Sequence, residues 1–278
     1  MDRKIIAFAV VILICIGVGT YYYLNQSPSS GPSGNLNIAG STTVLPLNQE
    51  WARLLMEKYP NLRISVSGGG SGHGIKAVGS GVIDIGAASR DIKDSEFKEY
   101  PNIKPVEVAK DSIAVVVHPS NTLSDISMED IAKIYAGEIT NFKDLGGSDL
   151  AINVYTREEG SGTRGSFEEL VLDKFDVKIF GKASVKPSNG ETRAAVAGDK
   201  QGFAYISLGY LDNTIKGLKI DGVEPTVDNV KSATYKVVRN LYLITNGEPS
   251  EFEKLFIEFA LSPEGQTIVT EQGFITVD

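Results

Sequence analysis

A chain of 278 residues, 42% hydrophobic and 22% charged, is long enough to bury a core in one large domain or in two smaller ones around a shared site. Its 27 Lys and Arg against 35 Asp and Glu leave a net charge of −8, which argues against a nucleic-acid binder that works by neutralising phosphates. One cysteine and two histidines exclude an internal disulfide and make thiolate-rich or His-rich metal chemistry remote, so neither a metal nor a cofactor is expected.

Arg3 and Lys4 precede an uncharged apolar run over residues 5–24 that ends in Tyr21, Tyr22 and Tyr23. Twenty residues at about 1.5 Å each span roughly 30 Å, the thickness of a bilayer core. The basic flank stays inside and the tyrosines sit at the outer interface, so residues 1–24 read as an N-terminal transmembrane helix with the rest of the chain exported. The alternative is a cleaved secretory signal, which has a shorter apolar region and an A-x-A-like site that is missing here. Cys15 follows Ile14 rather than a small residue, which argues against a lipoprotein processing site. Residues 25–34, Asn-Gln-Ser-Pro-Ser-Ser-Gly-Pro-Ser-Gly, contain nothing to pack and read as a flexible linker.

From residue 35 onward, short apolar strand-like runs at 36–39, 62–66, 83–85, 112–117, 152–155 and 202–206 alternate with helix-like runs. The clearest helical runs are 47–59, 128–135, 166–174 and 251–260. This alternation predicts α/β layers with largely parallel sheets, whose ligands collect at the carboxyl ends of strands. His118-Pro119 ends the strongest strand and is expected to mark a crossing between domains, with His118 structural.

Three turns sit at such strand ends. Ala39-Gly-Ser-Thr-Thr-Val44 precedes the 47–59 helix, Ser67-Gly-Gly-Gly-Ser-Gly-His-Gly74 opens onto Ile75, and Arg157-Glu-Glu-Gly-Ser-Gly-Thr163 opens the helix expected at Ser166. A helix start leaves backbone N–H groups free and carries partial positive charge, glycine lets the backbone approach, and Ser or Thr adds a hydroxyl donor. Any one of these turns could be plain capping; three of them, one led by an arginine, point to an oxyanion. Arg157 lies four residues before Ser161, so both can address one tetrahedral anion through the planar guanidinium fork. The plainer alternative for Arg157 is an exposed ion pair with Glu158 or Glu159.

Competing motifs fail on spacing: there is no G-x-x-x-x-G-K-[ST] loop, no G-x-G-x-x-G in the 68–74 run and no G-x-S-x-G elbow. A Ser71–His73 hydrolase lacks an orienting carboxylate, so no catalytic residue is assigned and the protein is not expected to be an enzyme. Glu50 and Trp51 are read as surface and core.

Six motifs in order, Gly40-Ser-Thr-Thr43, Gly69-Gly-Ser-Gly72, Asp84-Ile-Gly-Ala-Ala-Ser-Arg90, Arg157-Glu-Glu-Gly-Ser-Gly-Thr163, Gly202-Phe-Ala-Tyr-Ile-Ser-Leu-Gly-Tyr210 and Leu261-Ser-Pro-Glu-Gly-Gln266, closely resemble the PstS family of phosphate-binding proteins of phosphate ABC transporters. The resemblance covers essentially all of residues 35–278. It implies an α/β, two-lobed periplasmic-binding-protein fold with a ligand cleft between the lobes, here with lobe 1 formed by 35–118 plus 206–278 and lobe 2 by 119–205. It also implies capture of inorganic phosphate outside the cytoplasm by a monomer that delivers it to ABC transporter permease subunits, with the membrane contacted through the N-terminal helix. The family's ligand positions fall on Thr42 and Thr43, with Ser41 a weaker candidate, on Ser71 and Gly72, and on Arg157, Ser161, Gly162 and Thr163; Ser89 and Arg90 are expected to donate to the anion as well, and Glu159 falls where the family has an acidic residue orienting the arginine. Well-known members carry an aspartate after Gly-Ala-Ser that accepts the proton of hydrogen phosphate. Here Ala88-Ser89-Arg90-Asp91 stands instead, which moves that acceptor to Asp91 or removes it. The rival readings are another tetrahedral oxyanion such as sulfate, molybdate or tungstate, a hydrolase using Ser71 or Ser161, and a membrane-tethered sensor.

Overall fold

The computed structural model describes residues 31–277, so the expected membrane segment and most of the linker lie outside the described residues. Among those described, no helix is long and apolar enough to cross a membrane.

The first lobe opens with β1 (Gly34–Gly40), α1 (Leu45–Lys58), β2 (Leu62–Gly69), α2 (Ser71–Gly79), β3 (Ile85–Ala88) and the short α3 (Asp94–Glu99). β1 lies between β2 and β3 and is parallel to both. Next comes β4 (Ile103–Val117), long enough to serve both lobes, followed by β5 (Asp125–Ile126), α4 (Met128–Ala136) and β6 (Asn153–Arg157). α5 (Gly162–Phe167) runs on as a π-turn over Glu168–Leu172 and a 3₁₀-turn over Asp173–Phe175. The second lobe then adds β7 (Ser184–Lys186), α6 (Asn189–Ala197), β8 (Gly202–Ser207), β9 (Lys216–Gly217), β10 (Lys219–Ile220) and α7 (Val227–Lys231). β11 (Val238–Asn246) returns the chain to the first lobe, which α8 (Glu251–Leu261) and α9 (Pro263–Glu271) complete.

One sheet of nine strands runs through both lobes in the order β2-β1-β3-β11-β4-β8-β6-β7, with β9 on the side of β4; β5 and β10 form a separate parallel pair. Its two ends are parallel, as the alternation predicts, while its centre is antiparallel, because β4 carries the chain out of the first lobe and β11 carries it back. β4 changes partner between Ser112, opposite Val238 of β11, and Ile113, opposite Ser207 of β8. The crossing is therefore inside a continuous strand, just after the polar step Lys110-Asp111-Ser112, and not at His118-Pro119. His118 Nδ1 instead closes a turn on Ser120 in the second lobe.

Two main cores follow from this. Trp51, Leu36, Leu243 and Phe256 centre the first, with the Trp51 indole N–H donating to Gly265 O and its ring edge-on to Phe256. Tyr135, Phe167, Phe203 and Tyr205 centre the second, Phe167 stacking on Tyr205 at 4.0 Å. Leu208, Ile215, Leu218, Val230, Tyr235 and Val237 belong to this second core, and the Tyr235 hydroxyl donates to Ile113 O. The expected boundary at 206 thus moves: residues 206–237 pack with the second lobe, as do Ile113–Val117, because β9 pairs with the end of β4. Elements also shift locally. β3 begins at Ile85, leaving Val82 exposed, while α2 and α5 begin at Ser71 and Gly162, a full turn earlier than the apolar spacing suggests.

Candidate functional site

The three glycine-rich turns meet between the lobes. Behind β1, Ser41 Oγ accepts from Thr43 N at 3.1 Å, and this local bond turns the Thr42 and Thr43 hydroxyls into the cleft. Behind β2, Gly70 takes a left-handed φ of 88°, which glycine adopts without strain, and Ser71 becomes the first residue of α2. Ser71 does not cap its own helix; its Oγ accepts from Ser89 N at 3.0 Å and lies 3.5 Å from Ser89 Oγ, tying the turn to the end of β3. Behind β6, Ser161 caps α5 by accepting from Arg164 N. Ser41, Thr42, Thr43, Ser71, Ser89, Arg157, Ser161 and Thr163 are all buried.

The lobes are closed on each other. Thr43 Oγ1 and Thr163 Oγ1 are 3.2 Å apart, Gly72 N donates to Gly160 O at 2.9 Å, and Ser166 Oγ donates to Ser89 O at 3.3 Å. The Tyr210 hydroxyl, from the second lobe, donates to Thr42 O at 2.6 Å. Gly162 is at the closest approach: a Cβ there would lie 2.5 Å from Ser89 Oγ and closer still to Ser71 Oγ.

Arg157, only 1% exposed, is held along its whole edge. Nε donates to Glu158 Oε2 and to Lys186 O, both at 3.0 Å, and Nη2 donates to Glu158 Oε1 at 2.9 Å and to Thr42 Oγ1 at 3.3 Å. Its backbone N–H donates to the Tyr205 hydroxyl, which also bonds Thr156. Nη1 is buried without a partner. The acidic residue that orients this arginine is Glu158 and not Glu159, which is exposed, since only Glu158 has a side chain placed to meet Nε and Nη2 together.

Arg90 is not drawn into the cluster. Its guanidinium forms a two-pronged pair with Glu96 at 2.7 and 2.8 Å and donates to Asp91 O, while its Cδ packs against Gly165. Burial works against the Glu96 carboxylate, yet Arg90 and the Lys93 N–H hold it below the ordinary carboxylate range. Asp91 is exposed and accepts from the Tyr242 hydroxyl, so it supplies no acceptor to the cleft.

Two residues join the cluster that the turn motifs did not mark. Asn189, fully buried at the start of α6, donates from Nδ2 to Thr43 Oγ1 at 2.9 Å and accepts from Ser207 N. Ser188 caps that helix through Glu191 N, and the S-x-x-E spacing after β7 was the available signal for a fourth strand-to-helix turn. Arg239, at the start of β11, donates from Nη2 to Thr43 Oγ1 at 3.0 Å and pairs with Asp111. Burial pushes the Asp111 carboxyl up against the pull of Arg239. No local pattern marks Arg239, which is 196 residues from Thr43.

The arrangement is a ring of buried hydrogen-bond donors from both lobes with no nucleophile–base pair; His73 is exposed, and the Ser71 hydroxyl is engaged by Ser89. Among the described residues no group of three or more His, Cys, Asp or Glu could hold a metal ion. Such a ring suits a small, compact oxyanion.

Residues 25–264 match the model of the PBP superfamily domain. The chain is 31% identical to the phosphate-binding protein PstS of Bacillus subtilis, over 98% of this chain and 91% of the relative. It is 32% identical to the phosphate-binding protein PstS of Borreliella burgdorferi, over 87% and 90%. Among solved structures it resembles a phosphate ABC transporter substrate-binding protein with bound phosphate from Clostridium perfringens, with a TM-score of 0.83 and 38% identity over 88% of this chain and all of that one. With the two-lobed α/β fold and the donor-lined cleft, these matches place the chain in the PBP superfamily and, within it, in the family of the phosphate-binding protein PstS.

Proposed function

We propose that this protein captures inorganic phosphate outside the cytoplasm and presents it, as a monomer, to the permease of an ABC transporter. The observation that carries the reading is the closed ring of donors from both lobes around Arg157, whose Nη1 is buried without a partner, in a chain whose relatives are named for phosphate binding. Thr42, Thr43, Ser71 and Ser89 contribute from the first lobe, and Arg157, Ser161, Gly162 and Thr163 from the second, while Gly72 spends its N–H on Gly160 O and serves closure instead. Ser41 shapes the first turn, and Arg90 braces the Ser89 strand end through Glu96 instead of touching the anion.

The anion bridges both sets of donors, so its binding free energy goes into favouring the closed state over the open one. Desolvation strengthens each of these bonds, and charge-assisted bonds from Arg157 contribute most. Nothing in the ring activates water or a hydroxyl, so the ligand is held and released unchanged. The apolar run at residues 5–24 is the proposed tether, leaving the lobes on a linker at the outer face of the membrane. The test is calorimetric titration of the purified full chain with phosphate and with sulfate. The reading requires one-to-one binding of phosphate, and preference for sulfate or absence of binding would overturn it.

A further inference from the structure

The geometry points to Arg239 as a second ligand-binding arginine, held in place by Asp111, so that the site takes its oxyanion between two guanidinium groups. This inference rests on the phosphate reading above and adds a residue outside the three turns.

Arg239 and Asp111 are direct cross-strand partners on β11 and β4, the two strands that join the lobes. Both side chains are buried, and Arg239 Nε and Nη2 donate to Asp111 Oδ2 at 3.0 and 2.6 Å. A pair that served only to strap the strands together would have its remaining polar atoms satisfied by neighbours. Instead, while the Asp111 carboxylate also accepts from Ser207 and from the Ser112 N–H, Arg239 Nη1 is buried with no partner, which is costly unless something else fills it.

The orientation of Nη2 shows where the group points. It donates to Thr43 Oγ1, which also accepts from Asn189 Nδ2 and faces Thr163 Oγ1. One residue earlier, Thr42 Oγ1 accepts from Arg157 Nη2, and Arg157 likewise has a buried Nη1 with no partner. The Thr42–Thr43 turn is thus flanked by two guanidiniums, each bonded to its threonine through Nη2 and each with the N–H groups of Nη1 unspent. Burial pushes the Arg239 pKa down, and the Arg157 charge adds to that push, so the two cations share one water-poor space. Each is matched in charge by a carboxylate, Glu158 for Arg157 and Asp111 for Arg239. Neither is satisfied as a donor. An oxyanion with two or more acceptor oxygens meets both free N–H groups at once and relieves the repulsion between them. The ligand class is accordingly a tetrahedral oxyanion that presents at least two acceptor oxygens.

The test is phosphate calorimetry at pH 8 on the full chain as wild type, Arg239→Gln, Asp111→Asn/Arg239→Gln and Arg239→Lys, with thermal midpoints for each. A ligand-binding Arg239 makes Arg239→Gln at least about 100-fold weaker for phosphate. The double variant removes both buried charges and leaves a neutral pair that can still hydrogen-bond, so a mere strut would recover both midpoint and affinity. The inference expects the double variant to recover its midpoint and still to bind at least about 100-fold more weakly than wild type. If that variant does not recover its midpoint, Arg239→Lys decides, since it keeps the charge but loses the second N–H, and about a tenfold or greater loss is expected. Affinity within about threefold of wild type in the folded double variant, or in Arg239→Lys, overturns the assignment. A wild-type chain that binds no phosphate overturns the proposed function itself, and that result is read before any variant is compared.

Discussion

Replacing Gly162 with alanine separates closure from folding. The three atoms nearest to an added Cβ, Ser71 Oγ, Ser89 Oγ and Ser71 Cβ, all belong to the opposite lobe. Within its own lobe the position is the first residue of α5, where alanine is at least as good a helix former as glycine. Relieving a 2.5 Å approach to Ser89 Oγ requires the lobes to part by about 1 Å to reach ordinary contact. Rotating Ser71 away instead would break its bond from Ser89 N. An opening of that size carries the Gly72–Gly160 bond from 2.9 Å past hydrogen-bond range and takes the Thr43–Thr163 and Ser166–Ser89 contacts with it. Three bonds at about 1 kcal/mol each amount to about 3 kcal/mol, or roughly a 100-fold loss of affinity. Calorimetry should show this loss while the thermal midpoint of the unliganded chain stays at or above wild type. Wild-type affinity in Gly162→Ala would refute the reasoning, because it would mean that binding does not need the lobes as close as they stand.

Arg157→Gln should weaken phosphate by at least about 100-fold, since it removes the charge-assisted donors of a buried guanidinium, and equilibrium dialysis checks it. Glu158→Gln should cost about tenfold through loss of the charge and of one of the two acceptors that orient Arg157, while Glu159→Gln should leave affinity within about twofold; the opposite ranking would restore the sequence expectation. Arg90→Ala should change phosphate affinity less than about threefold but lower stability, because it leaves Glu96 without its partner. The Glu96 pKa is depressed in the folded protein, so this stabilisation is present above the unfolded value of about 4.3 and is lost as pH falls through the lower folded value. The difference in midpoint between wild type and Arg90→Ala should therefore shrink as the pH is lowered from about 5 towards 3, and a constant difference would show that Glu96 is not its source.

The parts of this protein written in local pattern were legible. Strands 36–39, 62–66 and 202–206 lie within β1, β2 and β8, though 62–66 alternates buried and exposed residues where a buried strand was expected, and the three glycine-rich turns meet where the two lobes close on each other. Trp51 and Glu50 fell as expected, one in the core and the other on the surface with Arg53. What depended on side-chain direction was not legible: adjacent Glu158 and Glu159 are equivalent in the sequence, and Arg90 sits beside a donor turn while its fork turns the other way, to a glutamate six residues on. The lobe boundary was misplaced because β4 runs unbroken through the crossing, so its polar step Lys110-Asp111-Ser112 lies inside one strand and not at its end. Helix starts were late because the glycines and hydroxyls of the turns are themselves the first helical turn, where apolar periodicity carries no signal. Arg239 and Asp111 meet only through strand register, which no motif encodes.

The central claim is that two lobes close on phosphate through a buried ring of donors. Its most direct test is calorimetric titration of the full chain, stripped of bound anion, with phosphate alone and with phosphate in the presence of excess sulfate. The account predicts tight one-to-one phosphate binding, with phosphate preferred over sulfate. No heat of binding with phosphate, or tighter binding of sulfate, would contradict it.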